Sequence, residues 1–256
     1  MAGDPGESHD EALAVAFDGQ AARFERAPVQ TDPEALARLV RFADLPEDSY
    51  LLDAGCGPGL VSRAFVDAGH RVVGVDLSPQ MIERARARCP DPGRAEFRLG
   101  SIYGGDPGGP FDAAVSRYVL HHVADPASFV RRQVELLRPG GVLVLCDHTT
   151  DPDPEVARRH NGVEALRDRT HTANLTAGTI LDLVAAAGLG SIRLVEEAFC
   201  LDFDEWFDRG TPAASKAEVR DRIESSPGAR GFAGRRTEDG RLEIACWRAL
   251  VRGQKS

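Results

Sequence analysis

Leu51-Leu52-Asp53-Ala54-Gly55-Cys56-Gly57-Pro58-Gly59 is the stretch whose reading decides the fold of this chain. An apolar run ends in an acid, glycines then recur at every second position, and Leu60-Val61-Ser62-Arg63-Ala64-Phe65 opens a helical pattern. Strand, tight loop and helix start follow one another, a layout that lets a polar cofactor lie across the strand tips of an open α/β sheet. The glycine spacing narrows the cofactor. A dinucleotide site carries G-x-G-x-x-G, but Leu60 stands where its third glycine would fall. Here the spacing is D-x-G-x-G-x-G, which removes Cβ atoms where backbone and ligand meet.

Outward from this loop the chain alternates. Strands are expected at residues 49–54, 71–76, 95–99, 111–116 and 142–147, and helices at 59–68, 79–88 and 126–138. That alternation implies a parallel sheet. Arg138-Pro139-Gly140-Gly141 reads as a turn feeding the fifth strand. Residues 1–10 read as disordered, and Glu11 to Phe24 as a helix placing Leu13, Phe17 and Phe24 among alanines. Thr31-Asp32-Pro33-Glu34 starts another helix, with Pro in its first turn. Beyond Asp147 a helix is expected to about Arg169, and a second from Ala177 to Ala187, capped by Thr176 and closed by Gly188. Ser191–Phe199 and residues 241–251 read as strands, and residues 202–235 as a polar, helix-prone segment anchored by Phe203, Trp206 and Phe207. The expected organisation is one domain, residues 11–256, in which 11–30, 150–175 and 202–235 form a cap.

The 256 residues carry 40 acids against 31 bases, a formal net charge of -9. That sign argues against a nucleic-acid backbone and against an anionic membrane as partner. No apolar run approaches the roughly 20 residues of a spanning helix, and Met1-Ala2-Gly3-Asp4-Pro5-Gly6-Glu7 lacks an apolar signal core. The five cysteines (56, 89, 146, 200 and 246) fit neither a zinc site nor a disulfide framework, so a reduced, cytoplasmic protein is expected. No metal site is read either, since Asp147 lacks an acidic or amide neighbour after the fifth strand.

Two acids and five histidines are the titratable candidates. Asp53 can accept from an ammonium or from backbone donors. Asp76 lies 21 residues after Gly55, near the spacing expected of an acid that grips ribose hydroxyls. Asp76 also reads as a helix cap, but Ser78 before Pro79 fills that role and leaves Asp76 for ribose. Among His121, His122, His148, His160 and His171, His148 has a topological warrant, because ligands of open α/β sheets sit at strand carboxyl ends. His121 and His122 are adjacent, so at most one is expected to face a pocket.

The Gly loop, with Val72-Val73-Gly74-Val75-Asp76 downstream, resembles motif I and the acidic loop of class I S-adenosylmethionine (SAM) dependent methyltransferases. Phe111-Asp112-Ala113-Ala114-Val115-Ser116-Arg117-Tyr118-Val119-Leu120-His121-His122-Val123 resembles the motif after the fourth strand in the ubiquinone/menaquinone-biosynthesis-like (type 11) family. Arg138-Pro139-Gly140-Gly141 before an apolar strand is another hallmark of that family, so the likeness covers residues 49–147. Ala21-Ala22-Arg23-Phe24, residues 27–33 and Leu166-Arg167-Asp168-Arg169-Thr170-His171 are similar to a bacterial small-molecule branch, which often has Pro-Ser-His where this chain has Arg169-Thr170-His171.

The resemblance implies a Rossmann-like, mostly parallel sheet of order 3-2-1-4-5-7-6 with the last strand antiparallel. It implies SAM as cofactor and S-adenosylhomocysteine (SAH) as product. Asp53, Gly55, Cys56, Gly57, Gly59, Asp76, Leu77 and Met81 would hold the cofactor. Ser101 and Ile102 would meet adenine, where many members carry an acid, and Arg117 (or Arg23 or Arg26) would meet the methionine carboxylate. Phe17, Phe24, Tyr118, His122 and Trp206 would contact substrate, with His148, His171 or His121 as base. The implied activity is methyl transfer to O, N or C of a small organic molecule in specialised metabolism. Alternatives are a SAM-binding enzyme of non-methylating chemistry, such as cyclisation, or a protein or RNA methyltransferase.

Overall fold

The computed structural model describes residues 5–104, 106–226 and 230–256, with side chains described from residue 9 onward. Three helices come first: α1 (Pro5–Phe24), α2 (Pro28–Thr31) and α3 (Pro33–Ala43). The alternating unit follows as β1 (Tyr50–Ala54), α4 (Leu60–Asp67), β2 (Arg71–Asp76), α5 (Pro79–Arg88), β3 (Ala95–Leu99), β4 (Phe111–Arg117), α6 (Pro126–Glu135) and β5 (Leu137–Thr149). The last third holds α7 (Pro154–Arg167), α8 (Ala177–Ala186), β6 (Leu189–Asp202), α9 (Phe203–Asp208), α10 (Lys216–Ser225), β7 (Phe232–Arg236) and β8 (Leu242–Lys255).

The helix starts are written in the sequence. Asp32, Ser78, Asp125 and Asp153 each accept a backbone N–H of the first turn, and a proline follows each of them. Thr176 caps α8 in the same way, through Thr179 N–H. The strands follow the period of two. Leu52 and Ala54 of β1, with Leu143 and Leu145 of β5, enter the core on one face of the sheet. Leu51, Val142, Val144 and Cys146 enter the core on the other. Each such leucine contributes about 1.5–3 kcal/mol on burial, against about 0–1 for an exposed ion pair such as Arg63–Asp67. Apolar layers therefore hold the sheet.

The strand order is β3-β2-β1-β4-β5-β8-β6, with β7 also on β8. β1 to β5 are parallel, and β8 runs antiparallel to β5 and to β6. With β6 and β8 as the sixth and seventh strands, this is the expected order plus one extra strand. β8 outruns its neighbour: Trp247–Gln254 pair with β5, whereas Leu242–Cys246 pair with β7 instead. The sheet thus continues beyond the carboxyl end of β5 and forms the floor of the cap. There Phe203, Trp206, Phe207, Val219, Ile223 and Ile244 make a third apolar cluster.

The structure corrects four local readings. Residues 5–10 are helical, because α1 begins at Pro5 and packs on α5; residues 1–4 lie outside the described residues. The end of the 202–235 segment is strand β7, since its backbone completes the otherwise open edge of β8. Arg138–Gly141 lies within β5, whose pairing to β4 begins at Leu137 and shifts register before Val142. Helix α6 accordingly stops at Glu135. Among the described residues no helix is long and apolar enough to cross a membrane.

Candidate active site

β1 delivers Asp53 to the strand tip, and the chain turns at once into the glycine loop. Gly55 and Cys56 N–H both donate to Val75 O (2.9 and 3.0 Å), which ties the loop to β2. Gly59 sits at φ 78, and a Cβ there would lie 2.9 Å from Ala85 Cα, so only glycine lets α4 start against α5. Gly57, at φ 50, has open space where its Cβ would be. Its N–H donates to Asp76 Oδ2 (2.8 Å), which fixes the loop against the acid that ends β2. Open space at the loop apex and a carboxylate at the neighbouring strand tip form a cradle that fits the cofactor implied by the sequence.

Both acids are already engaged. Asp53 is buried and accepts from Ser62 Oγ (2.6 Å); burial pushes its carboxyl up to about 7 against that hydrogen bond. Asp76 accepts from Ser78 N–H (2.9 Å) as well as from Gly57, so it is not free as read from sequence; each oxygen holds one backbone donor and keeps lone pairs for another. Ser78 caps α5 as expected, through Met81 N–H (3.1 Å). Met81 is buried, Leu77 and Ser101 are half-buried along the crevice, and Ile102 packs into the core beneath it.

The expectation for Arg117 is corrected. Its Nη1 and Nη2 donate to Gln30 O (3.0 Å) and Val29 O (2.7 Å), so it anchors the segment after α1 rather than presenting a free fork. Arg23 is likewise turned onto Asp208 O, and Arg26 is exposed.

A cluster of imidazoles occupies the carboxyl ends of β4 and β5. Directly after β4 comes Tyr118, held at φ 60, a conformation costly for a bulky residue. A single 3-10 turn, Leu120–His122, follows. Asp147, one residue before His148 on β5, makes four hydrogen bonds, three of them to this turn. Its Oδ2 accepts from Val119 N–H (2.9 Å) and Leu120 N–H (2.7 Å), and its Oδ1 accepts from His148 N–H (2.7 Å) and His121 Nδ1 (2.5 Å). With Nδ1–H given to Asp147, the lone pair of His121 is on Nε2.

Phe24, Tyr118, His121, His122, His148 and Trp206 surround a cavity of about 30 Å³, with Glu164, Arg167 and Arg209 on its cap side. His121 and His122 therefore both border it, contrary to the expectation that only one would. The turn carrying them is short, and α1 and the cap wrap around it, so rings on different sides reach one space, with centroids 4.1 Å apart.

Three of the other histidines, His122, His148 and His171, are held as poor bases. His148 is packed between the tilted rings of Tyr118 (4.5 Å) and Phe199 (5.2 Å), and burial with the positive field of His121 pushes it well below the usual imidazole range. His122, on which Phe17 rests edge-on (4.9 Å), is lowered in the same way. His171 bonds Asn161 Oδ1 through Nε2 (2.9 Å), and burial brings it down to about 4. His160 lies behind the cavity, between Thr150 and Asn174. Burial opposes the charge of His121 too, but Asp147 outweighs it and raises this one imidazole. Tyr118 Oη accepts from Arg248 (2.9 Å), so the tyrosine supplies a wall more than a proton.

The cap is locked from inside. Arg167 donates through Nε and Nη2 to Trp206 O (2.9 and 2.7 Å) and through Nη1 to Asp168 (3.2 Å), joining α7 to α9. On the opposite side α1 closes the crevice. Asp18 accepts from Ser78 Oγ (2.5 Å) and Gln80 N–H (3.0 Å), Glu25 pairs with Arg84 and Arg88, and His9 reaches His122 O (2.7 Å). Sequence reasoning missed Asp147 as a partner of histidine, although an acid at the tip of the fifth strand was visible. It also missed Asp18, because nothing local to α1 shows what that face meets. Among the described residues no group of three or more His, Cys, Asp or Glu is placed to hold a metal ion.

The sheet order, the D-x-G-x-G-x-G loop tied to Asp76 and the closed crevice above them define a SAM-dependent methyltransferase. A family model described as a methyltransferase domain matches residues 28–193, and the chain belongs to this family. It is 26% identical over 207 residues to an uncharacterised methyltransferase, YcgJ, of Bacillus subtilis, covering 79% of this chain and 82% of that one. The YcgJ crystal structure superposes with a TM-score of 0.77 at 24% identity, covering 87% and 98% of the two chains. A ubiquinone biosynthesis O-methyltransferase of Xanthomonas axonopodis is 35% identical over 103 residues, 39% of this chain and 43% of its own length. That match spans less than half of the O-methyltransferase.

Proposed function

We propose that this methyltransferase transfers the methyl group to a hydroxyl oxygen of a small aromatic molecule in specialised metabolism, with His121 as general base. The observation that carries this reading is the 2.5 Å contact of His121 Nδ1 with Asp147, which in the neutral ring puts the lone pair on Nε2 at the edge of the cavity. Asp147 holds the ring and stabilises the imidazolium that forms when Nε2 takes the hydroxyl proton. Phe24, Tyr118 and Trp206 supply flat apolar walls suited to an aromatic ring. Bound SAM supplies an electrophilic methyl group on a sulfonium that leaves readily.

Alignment is the larger share of the catalysis. Holding two reactants in near-attack geometry contributes about 7–11 kcal/mol, whereas a base adds about 10²–10⁴-fold. The cavity is far smaller than any acceptor, so α1 or the cap must open for binding and close before transfer. Small-molecule O-methylation is further supported by the name of the ubiquinone biosynthesis relative, and a reduced, cytoplasmic setting by five unpaired cysteines.

The test offers methyl-labelled SAM and a panel of small phenols, aromatic amines, a bulk protein fraction and RNA. Label is expected in a phenol, and His121→Ala is expected to slow transfer by about 10²-fold or more while leaving SAH affinity within twofold. Label confined to protein or RNA, or transfer undiminished in His121→Ala, would sink the proposal.

A further inference from the structure

Arg209 follows α9, at the seam where the cap meets α1. Its guanidinium lies 5.9 Å from the centre of the Phe24 ring, and Arg23 of α1 is bonded to the neighbouring Asp208 O. The residue borders the cavity with Phe24, Tyr118 and Trp206 and is 6% exposed. An arginine so placed has an ordinary structural role. It stands at the carboxyl end of α9, where a cation suits the helix dipole, and Glu205 lies one turn before it, 2.7 Å from its Nε.

That role leaves most of the guanidinium unexplained. The group has five N–H donors, yet among the described residues none of them makes an aligned hydrogen bond. Even the contact with Glu205 is an ion pair without hydrogen-bond alignment. Arg167, the other arginine at this cavity, shows the contrast: Trp206 O takes its Nε and Nη2, and Asp168 takes its Nη1. Glu164 does not answer Arg209 either, since it stands with His160 (3.7 Å) and Arg167 (4.0 Å). Burial and the like charge of Arg167 bring the Arg209 guanidinium down to about 10, against the pull of Glu205. A buried cation with an open fork is costly, and it calls for an anion that no described residue supplies in hydrogen-bonding position.

We infer that Arg209 receives a carboxylate carried by the methyl acceptor, its Nη1 and Nη2 donating as a planar fork. With the hydroxyl of the function proposed above, the acceptor is an aromatic hydroxy acid. Its ring lies against Phe24, Tyr118 and Trp206, its hydroxyl meets His121 from the sheet side, and its carboxylate meets Arg209 from the cap side. Because Arg209 sits between α9 and α1, the bound acid also joins the two elements that close the site. The inference rests on the proposed reading of this cavity as the acceptor site.

Calorimetry on the full chain saturated with SAH tests the charge apart from the chemistry. The probes lack a hydroxyl: benzoate, phenylacetate and 3-phenylpropionate, each against its neutral carboxamide. One acid of the series is expected to bind about 10- to 100-fold more tightly than its amide, the range for a hydrogen bond to a charged group. Arg209→Gln is expected to bring that acid and its amide within twofold and to leave SAH affinity within twofold. Arg209→Lys keeps the charge without the fork and is expected to retain part of the preference; it serves if the glutamine variant does not fold. Acids and amides that bind alike in the parent chain, or a preference undiminished in the variants, would overturn the inference. Methyl-labelled SAM with the hydroxy derivatives of the tightest acid and of its amide then separates the two readings. Equal transfer to both sinks the inference and leaves hydroxyl methylation standing. Acid binding that needs Arg209, with no label in any phenol, upholds Arg209 as the carboxylate site and sinks the hydroxyl reading.

Discussion

His121 and His148 stand 5.4 Å apart, both buried, yet their proton affinities move in opposite directions. Burial disfavours the charged form of each, and the difference is one carboxylate: Asp147 faces His121 and gives His148 only a backbone contact. A base must be neutral at Nε2, so kcat/KM is expected to rise with pH through a value above the ordinary 6.5 of histidine. In Asp147→Asn the raising influence is gone and burial remains. The acid limb is then expected to shift to lower pH while kcat falls on the order of 10²-fold or more. A pH–rate profile of the two proteins checks the sign, and a limb that stayed in place would remove His121 from the proton transfer.

At the scale of elements, α1 is the part whose position decides whether the crevice is closed. It is held at its α5 side by polar contacts, Asp18 with Ser78 and Gln80 and Glu25 with Arg84 and Arg88, rather than by a continuous apolar seam. Contacts of that kind, about 1 kcal/mol each, suit an element that must open. Asp18→Ala is expected to weaken SAH by about five- to tenfold, the loss of roughly 1–1.4 kcal/mol of closure energy. It is also expected to speed proteolysis within α1, with SAH restoring protection in the parent chain. Proteolysis at the parent rate would show that Asp18 does not hold the lid. The stripe of Leu13, Phe17 and Phe24 was legible as a helix face. What it meets was not, because the loops after β2 and β4 are brought beneath it only by the sheet.

Among the described residues, two apolar layers flank one sheet, a smaller cluster lies between α5 and β3, and another fills the cap. β8 belongs to both regions, its later residues in the sheet and its earlier ones under the cap. The cap is thus a continuation of the fold whose apolar contacts are largely its own, which favours its opening as a unit. Hydrogen exchange is expected to show β4 and β5 amides exchanging only on global unfolding, and those of β7 and α10 through a lower-energy opening. SAH is expected to slow α1 and leave α10 unchanged. Equal protection of β7 and β5 would mean that cap and sheet open together.

The parallel sheet and the glycine loop were legible in the sequence itself, because they depend on local chemistry: apolar runs of strand length, capping residues before prolines, and glycines at fixed spacing. The strand order and the cofactor came from the family resemblance that these motifs carry. Residues 49–147 are rich in such signals. Only the tertiary structure decided which histidine is poised, that Arg117 is spent on the chain itself, and that Arg209 lies buried at the cavity. His121 and Asp147 are 26 residues apart and meet because β4 and β5 are neighbours in the sheet. The balance of burial against charge that ranks the histidines exists only once α1 and the cap have removed water from around them.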